Sequence, residues 1–199
     1  MNELSRNLDE LLAAHESIGS PLSHCLTPGR DPAEIQRAFA EIGLEPPGEV
    51  VEWFAWHEFD RDAWQVAGGK ADPELFWGGW PMNLDQAVRT YRHYEQNVDR
   101  YSDPANPTPD EEQWRSTWFP LLWSSPGHIV VECDSAPAGP APIRRVENQP
   151  VFPPGPAAPV IFPSLVDLVE AAVRSVRDHS WWEQGTIQID ETDGLIEHY

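Results

Sequence analysis

The sequence is poor in cysteine and in basic side chains. Its 199 residues include two cysteines, Cys25 and Cys133, which lie far apart and form no CxxC pair. Neither a disulfide-stapled scaffold nor a zinc knuckle is therefore indicated. Only 13 lysines and arginines stand against 33 aspartates and glutamates, which gives a formal net charge of -20. Because such a chain repels phosphate groups and anionic lipid, we expect a basic partner rather than nucleic acid or a membrane surface.

Long apolar runs and phosphate-binding motifs are also lacking. No stretch approaches the ~20 apolar residues of a membrane span, and the N-terminal segment carries Glu3, Asp9 and Glu10, unlike a secretory signal. We therefore expect a cytoplasmic protein. Neither a G-x-x-x-x-G-K-[ST] loop nor a G-x-G-x-x-G turn is present, so no nucleotide cofactor is predicted.

What the sequence does contain is enough for one packed domain. Hydrophobic residues make up 40% of the chain and ten residues are tryptophan. Residues 1–199 are long enough to bury a sizeable aromatic-rich core in a single domain. We predict one domain over residues 1–199, with a C-terminal strand or hairpin extension at residues 183–199.

Apolar residues at helical spacing predict five helices, at residues 2–16, 32–42, 47–57, 84–98 and 165–179. Asp31 and Pro32 mark the start of the second helix and Gly43 its end. Asn83 is positioned to cap the fourth helix, and Ser164 begins the last one.

Alternating and aromatic runs predict strands at residues 75–80, 118–123, 128–133 and 143–147. The second and third of these are close enough to pair as a hairpin around residues 124–127. Ile129, Val131 and Cys133 then share the inward face. Together with the helices, these strands predict an α+β fold in which an antiparallel sheet is flanked by helices.

Candidate catalytic and metal-ligating residues lack the neighbours that their chemistry needs. His57, Glu58 and Asp60 are metal-ligand types, but residue 61 is arginine, so the two-histidine spacing of a metalloprotease helix is missing. Ser125 lies in no G-x-S-x-G elbow, and the alternation around Cys133 is typical of a small buried group. We therefore predict no catalytic residue, no metal and no cofactor.

The tryptophans allow two interpretations. Most alternate with apolar residues inside predicted elements, which places Trp118 and Trp123 in the core. A sugar-stacking surface is the alternative, and Trp64, Trp181 and Trp182 are compatible with it.

Several segments, in order along the chain, resemble the SUKH superfamily. Residues 31–43 (DPAEIQRAFAEIG) and 46–57 (PPGEVVEWFAWH) resemble its opening: a helix, a glycine, then a proline-started helix with a Trp-His-acid ending. Residues 118–121 (WFPL) resemble its W-x-P-x strand, and 127–134 (GHIVVECD) the strand that follows. Residues 162–169 (FPSLVDLV) are similar to its final helix.

This resemblance implies a non-enzymatic α+β domain that binds another protein. Bacterial members of the superfamily are mostly immunity proteins that neutralise a cognate toxin, often a nuclease, and fungal relatives regulate cell-wall assembly. An immunity protein is the leading hypothesis, because nucleases carry Lys and Arg that carboxylates complement. A housekeeping regulatory or scaffold protein of the same fold is the alternative, and an uncharacterised hydrolase is the third.

The partner-binding face is predicted on the polar connections between elements. Helices and strands turn their apolar faces to the core, so binding groups fall disproportionately on the loops. An apolar contact around Trp64 is the alternative to a purely electrostatic one. The predicted partner-binding residues are Glu58, Asp60, Asp62, Trp64, Asp110, Glu111 and Glu112.

Overall fold

The computed structural model describes residues 2–60, 63, 79–97, 114–124, 127–133, 139–147 and 160–178. These residues form an α+β fold, as predicted. Its helices are α1 (Glu3–Ser17), a short 3-10 helix (Pro21–Cys25), α2 (Pro32–Ala40), α3 (Gly48–Trp56), α4 (Leu84–Asn97) and α5 (Leu165–Arg177). Its strands are β1 (Leu26–Pro28), β2 (His57–Phe59), β3 (Gly79–Pro81), β4 (Trp118–Ser124), β5 (Gly127–Glu132), β6 (Ile143–Glu147) and β7 (Val160–Phe162).

The helix ends follow the local signals in the sequence. The Asp31 carboxylate accepts a hydrogen bond from the Ala33 N–H at 2.8 Å and so caps α2. Asn83 and Gln86 form a reciprocal capping box at the start of α4. Gly43 follows α2 with a φ of 76°, in the left-handed region that glycine adopts without steric strain.

The strands form two antiparallel sheets. β1 pairs with β2, and the larger sheet has the order β3-β4-β5-β6-β7. The predicted hairpin is confirmed as β4 and β5, with Phe119 opposite Val131 and Trp123 opposite His128. Of the strand predicted at residues 75–80, only its last residues lie in the described part, in β3. The predicted extension at 183–199 lies outside the described residues.

Helices cover one face of the large sheet and form the main core with it. The Phe39 ring of α2 lies 4.3 Å from the Phe119 ring of β4, and the Phe54 ring of α3 lies 6.1 Å from it. Ile129 and Val131 belong to the same core, as the alternation predicted. α1 packs along α5 and completes the layer of helices.

The alternation did not predict that β5 is buried on its opposite face as well. His128 is 2% exposed and Val130 is fully buried. Val130 lies beside Pro120 and Arg144 on the neighbouring strands, so β5 is an interior strand. An aromatic group from outside the sheet lies near this second face: the Tyr94 hydroxyl is 3.0 Å from His128 Nδ1. An interior strand of this kind shows a continuous buried run instead of a one-sided pattern.

Candidate functional site

Glu58 is the first of the predicted partner-binding residues, and its carboxylate is engaged within the fold. Its Oε2 lies 3.0 Å from Arg30 Nε, and its Oε1 accepts the Leu84 N–H at 3.2 Å. The side chain is only 12% exposed. Leu84 is the first residue of α4, whose N–H groups have no partner within the helix. Glu58 therefore ties β2 to the N-terminus of α4.

Two glutamates of α3 bind other helix N-termini in the same way. Glu49 accepts the N–H of Leu165, the first residue of α5, at 3.0 Å. Glu52 accepts both the N–H of Ser5 in α1, at 2.8 Å, and its hydroxyl, at 2.6 Å. A carboxylate satisfies the free donors of a helix start and also the positive end of its dipole. Part of the acidic surplus therefore holds the fold together and is not available to a partner.

Burial shifts the pKa of one of these capping carboxylates. The half-buried position of Glu49 raises the pKa of its carboxyl above the ordinary value, because desolvation disfavours the charged form. The hydrogen bonds that it accepts from the backbone of Leu165 and Ala141 lower that pKa and partly offset the effect.

The other predicted partner-binding residues divide into two groups. Asp60 is half-buried; its carboxylate accepts the Ala63 N–H at 3.1 Å, and its own N–H donates to the Cys25 carbonyl at 2.8 Å. The remaining five lie outside the described residues: Asp62, Trp64, Asp110, Glu111 and Glu112.

Some carboxylates of the described part have no role inside the fold. They are exposed, and their side chains make no hydrogen bond or ion pair within the described ranges: Glu16, Glu34, Glu45 and Asp178. These exposed carboxylates are spread over the ends of α1 and α5, over α2 and over the connection from α2 to α3. They contribute to a negative field outside the molecule without stabilising a particular contact within it.

His57, Glu58 and Asp60, whose side chains are of metal-ligating types, contact different partners. His57 Nδ1 lies 3.1 Å from the Thr27 carbonyl oxygen, Glu58 pairs with Arg30, and Asp60 accepts the Ala63 N–H. In the ranges that the structure describes, no group of three His, Cys, Asp or Glu side chains is placed to hold a metal ion.

Cys133 is buried in the core, as its alternation predicted. Burial raises the pKa of its thiol to about 12, with a smaller contribution from Glu132. The thiol is therefore protonated at neutral pH, whereas a nucleophilic cysteine needs its thiolate. Ser125 lies outside the described residues.

Sequence reasoning missed a cleft of about 720 Å³ between α4 and the β3–β4–β5 part of the sheet. On its sheet side, Trp80 and Trp123 are cross-strand partners with ring centres 6.0 Å apart and planes 15° apart. The prediction that Trp123 lies in the core is wrong, because its side chain is 39% exposed. Both tryptophans lie on the sheet face opposite the main core, but Trp123 borders the open cleft, whereas Trp118 packs edge-on against Trp114 with ring centres 6.2 Å apart. Trp118, in contrast, is buried as predicted.

Helix α4 supplies the polar wall of this cleft. Gln86, Arg89, Thr90 and His93 line it, at the i, i+3, i+4, i+7 spacing that places side chains on one helix face. His128 lines its base, where the Tyr94 hydroxyl holds the imidazole. The spacing of these polar residues on α4 could be read from the sequence, but the pairing of Trp80 with Trp123 on the facing sheet could not.

Comparisons with known proteins assign no function to the acidic residues or to the cleft. Within the described part of the chain, no helix is both long enough and apolar enough to cross a membrane. No protein-family model matches the chain, and no curated protein matches it.

Proposed function

We propose that this chain is a non-enzymatic protein-binding domain that captures and neutralises a basic protein, in the manner of an immunity protein acting on its toxin. The observation that carries the proposal is the net charge of -20. A protein toxin that cleaves nucleic acid needs lysines and arginines at its phosphate-binding surface. An acidic inhibitor gains both association rate and complementarity at such a surface.

The distribution of carboxylates supports this proposal. The helix caps Glu49, Glu52 and Glu58 account for only a few of the 33 acidic residues. The exposed carboxylates described above make no hydrogen bond or ion pair with another described residue, so the repulsion among the acidic groups is a cost to the free domain that these contacts do not offset. A basic partner relieves that repulsion on binding.

The resemblance to the SUKH superfamily supports the same function. The segments that carry it form α2, Gly43, α3, the β4–β5 hairpin and the start of α5. Fold alone does not assign a role, so the charge is the more direct argument.

Co-expression with a neighbouring toxin gene tests the proposal. The chain is produced together with each candidate toxin domain encoded beside its gene, and growth is compared with that of cells producing the toxin alone. We expect growth to be restored and a stable complex to be purified. A partner that is bound but stays toxic would contradict neutralisation and would instead support the regulatory or scaffold alternative.

Association kinetics with the purified partner test whether electrostatic attraction between the acidic chain and its basic partner speeds binding. We expect the association rate to fall as the Debye length shrinks from about 30 Å at 0.01 M salt to about 8 Å at 0.15 M. Neutralising three of the predicted partner-binding residues as D110N/E111Q/E112Q should lower the association rate several-fold and raise the dissociation rate less.

A matched control removes the same number of charges elsewhere. The E16Q/E34Q/E45Q variant neutralises three exposed carboxylates that make no side-chain hydrogen bond or ion pair within the described ranges. If Asp110, Glu111 and Glu112 belong to the binding face, this control slows association less than the D110N/E111Q/E112Q variant does. An association rate that changes neither with salt nor with either set of substitutions would reject the acidic face. An apolar contact around Trp64 would then remain as the candidate.

A further inference from the structure

The cleft between α4 and the sheet combines an exposed aromatic surface with a fixed base. Trp123 exposes 39% of its side chain although it is among the largest apolar groups in the chain. A partly exposed indole beside a second stacked indole offers a flat surface for another planar ring, and such stacking contributes beyond the area buried. The volume of about 720 Å³ also falls within the range of about 300–1,000 Å³ typical of small-molecule sites.

The base of the cleft is held by contacts behind it. His128 is 2% exposed, and its Nδ1 lies 3.0 Å from the Tyr94 hydroxyl. The Tyr94 ring stacks on Trp114 with centres 4.4 Å apart and planes 11° apart. The Trp123 ring meets His128 edge-on at 4.8 Å. These contacts keep the aromatic surface in place without a ligand, which reduces the entropy lost on binding.

Among the described residues that line the cleft, the one charged side chain is positive, whereas the chain as a whole is acidic. Arg89 is the one Lys, Arg, Asp or Glu among the described residues that line the cleft, although the chain has 33 acidic residues. Arg89 is exposed and makes no ion pair with another described residue. Arg92, one turn further along α4, pairs instead with Glu41 at 3.5 Å. A guanidinium is suited to a carboxylate or phosphate group, to which it donates two parallel hydrogen bonds.

We propose that this cleft binds a planar aromatic small molecule that carries a carboxylate or a phosphate group. The ring stacks on the Trp80–Trp123 pair and the anionic group reaches Arg89. Thr90 and His93, beside Arg89 on the same helix face, supply further polar contacts. This site is separate from the acidic protein-binding function and does not depend on it.

Binding of four defined probes tests the proposal. Indole-3-acetate and adenosine 5′-monophosphate present an aromatic ring with a carboxylate or a phosphate, respectively. Tryptophol and adenosine are their neutral counterparts. Binding is followed by calorimetry and by the indole N–H signals in ¹H–¹⁵N spectra of the full chain. We expect at least one of the two anions to bind with sub-millimolar affinity and its neutral counterpart to bind at least about tenfold more weakly. The anion that binds identifies which of the two combinations of ring and anionic group the site prefers.

Two variants of α4 separate a specific site from general adsorption. Arg89→Gln should weaken the anion at least about tenfold, while Arg92→Gln, which removes the same charge from the same helix, should leave its affinity unchanged. Both side chains are exposed, so both variants should fold, which circular dichroism checks. Trp123→Ala should abolish binding and the shift of the indole signals. The proposal is overturned if neither anion binds at concentrations up to about 1 mM. Equal affinities for the charged and neutral probes, or equal effects of the two arginine variants, would also overturn it.

Discussion

His15 should make the chain lose stability in mildly acidic solution. The imidazole lies on α1 and is 2% exposed. Desolvation lowers the pKa of His15 from 6.5 to about 4, because the buried ring resists gaining a charge. In the unfolded chain the same ring is solvated and titrates near the ordinary value of about 6.5. Between these two pKa values the unfolded state binds a proton that the folded state does not bind.

The sign and the size of the effect follow from linkage. Stability rises with pH wherever the unfolded state holds more protons, so it falls as pH decreases from 6.5 to about 4. A difference of two and a half pKa units at about 1.36 kcal/mol per unit gives a loss of about 3 kcal/mol across this window. Since domains of this kind are stable by about 5–15 kcal/mol, this loss is a substantial fraction of the total.

Urea unfolding at a series of pH values between 7 and 4 measures this loss. The free energy of unfolding of His15→Gln should depend less on pH than that of the unsubstituted chain. Between pH 7 and pH 4 the loss of unfolding free energy should be about 3 kcal/mol smaller in the variant. Carboxylates titrate in both proteins, so their contribution cancels in the difference. His24→Gln, which changes an exposed histidine, is the control for the loss of a histidine side chain. Parallel curves for His15→Gln and the unsubstituted chain would refute the assignment of a buried neutral imidazole.

Three further substitutions test the packing of the core. Val131→Asp places a carboxylate at a fully buried position of β5 and should cost several kcal/mol, so recovery of soluble, cooperatively folded protein would contradict the inward placement of Val131. Gly29→Ala should also destabilise strongly, because a Cβ at this position overlaps the carbonyl oxygen of Ala55 in α3; a melting temperature equal to that of the unsubstituted chain would contradict this close approach. Cys133→Ala removes only a buried protonated thiol, so partner binding and growth protection should persist, and their loss would indicate a chemical role for Cys133.

Local signals in the sequence determined most of the described elements. Capping residues such as Asp31, Asn83 and Ser164 set helix starts, because the bonds they make lie within three residues of the cap. The β4–β5 hairpin was also predictable, since two apolar runs separated by a short turn can pair with each other. The net charge, which carries the proposed function, is a property of composition alone.

Tertiary structure decided which of these residues remain available for binding. Glu58 was predicted to face a partner, but it bonds to the N–H of Leu84, 26 residues away. The Glu49 bond to Leu165 spans 116 residues. Trp118 and Trp123 have similar sequence surroundings, yet Trp118 is buried and Trp123 is 39% exposed.

The physical reason is the range of the interactions involved. Helix periodicity, caps and turns depend on neighbours within a few residues, so a sequence pattern records them directly. Burial of a tryptophan, the partner of a carboxylate and the placement of Arg89 in the same cleft as the Trp80–Trp123 pair depend on which distant elements pack together. Those contacts form only when the helices close over the sheet, and only the folded chain reveals them.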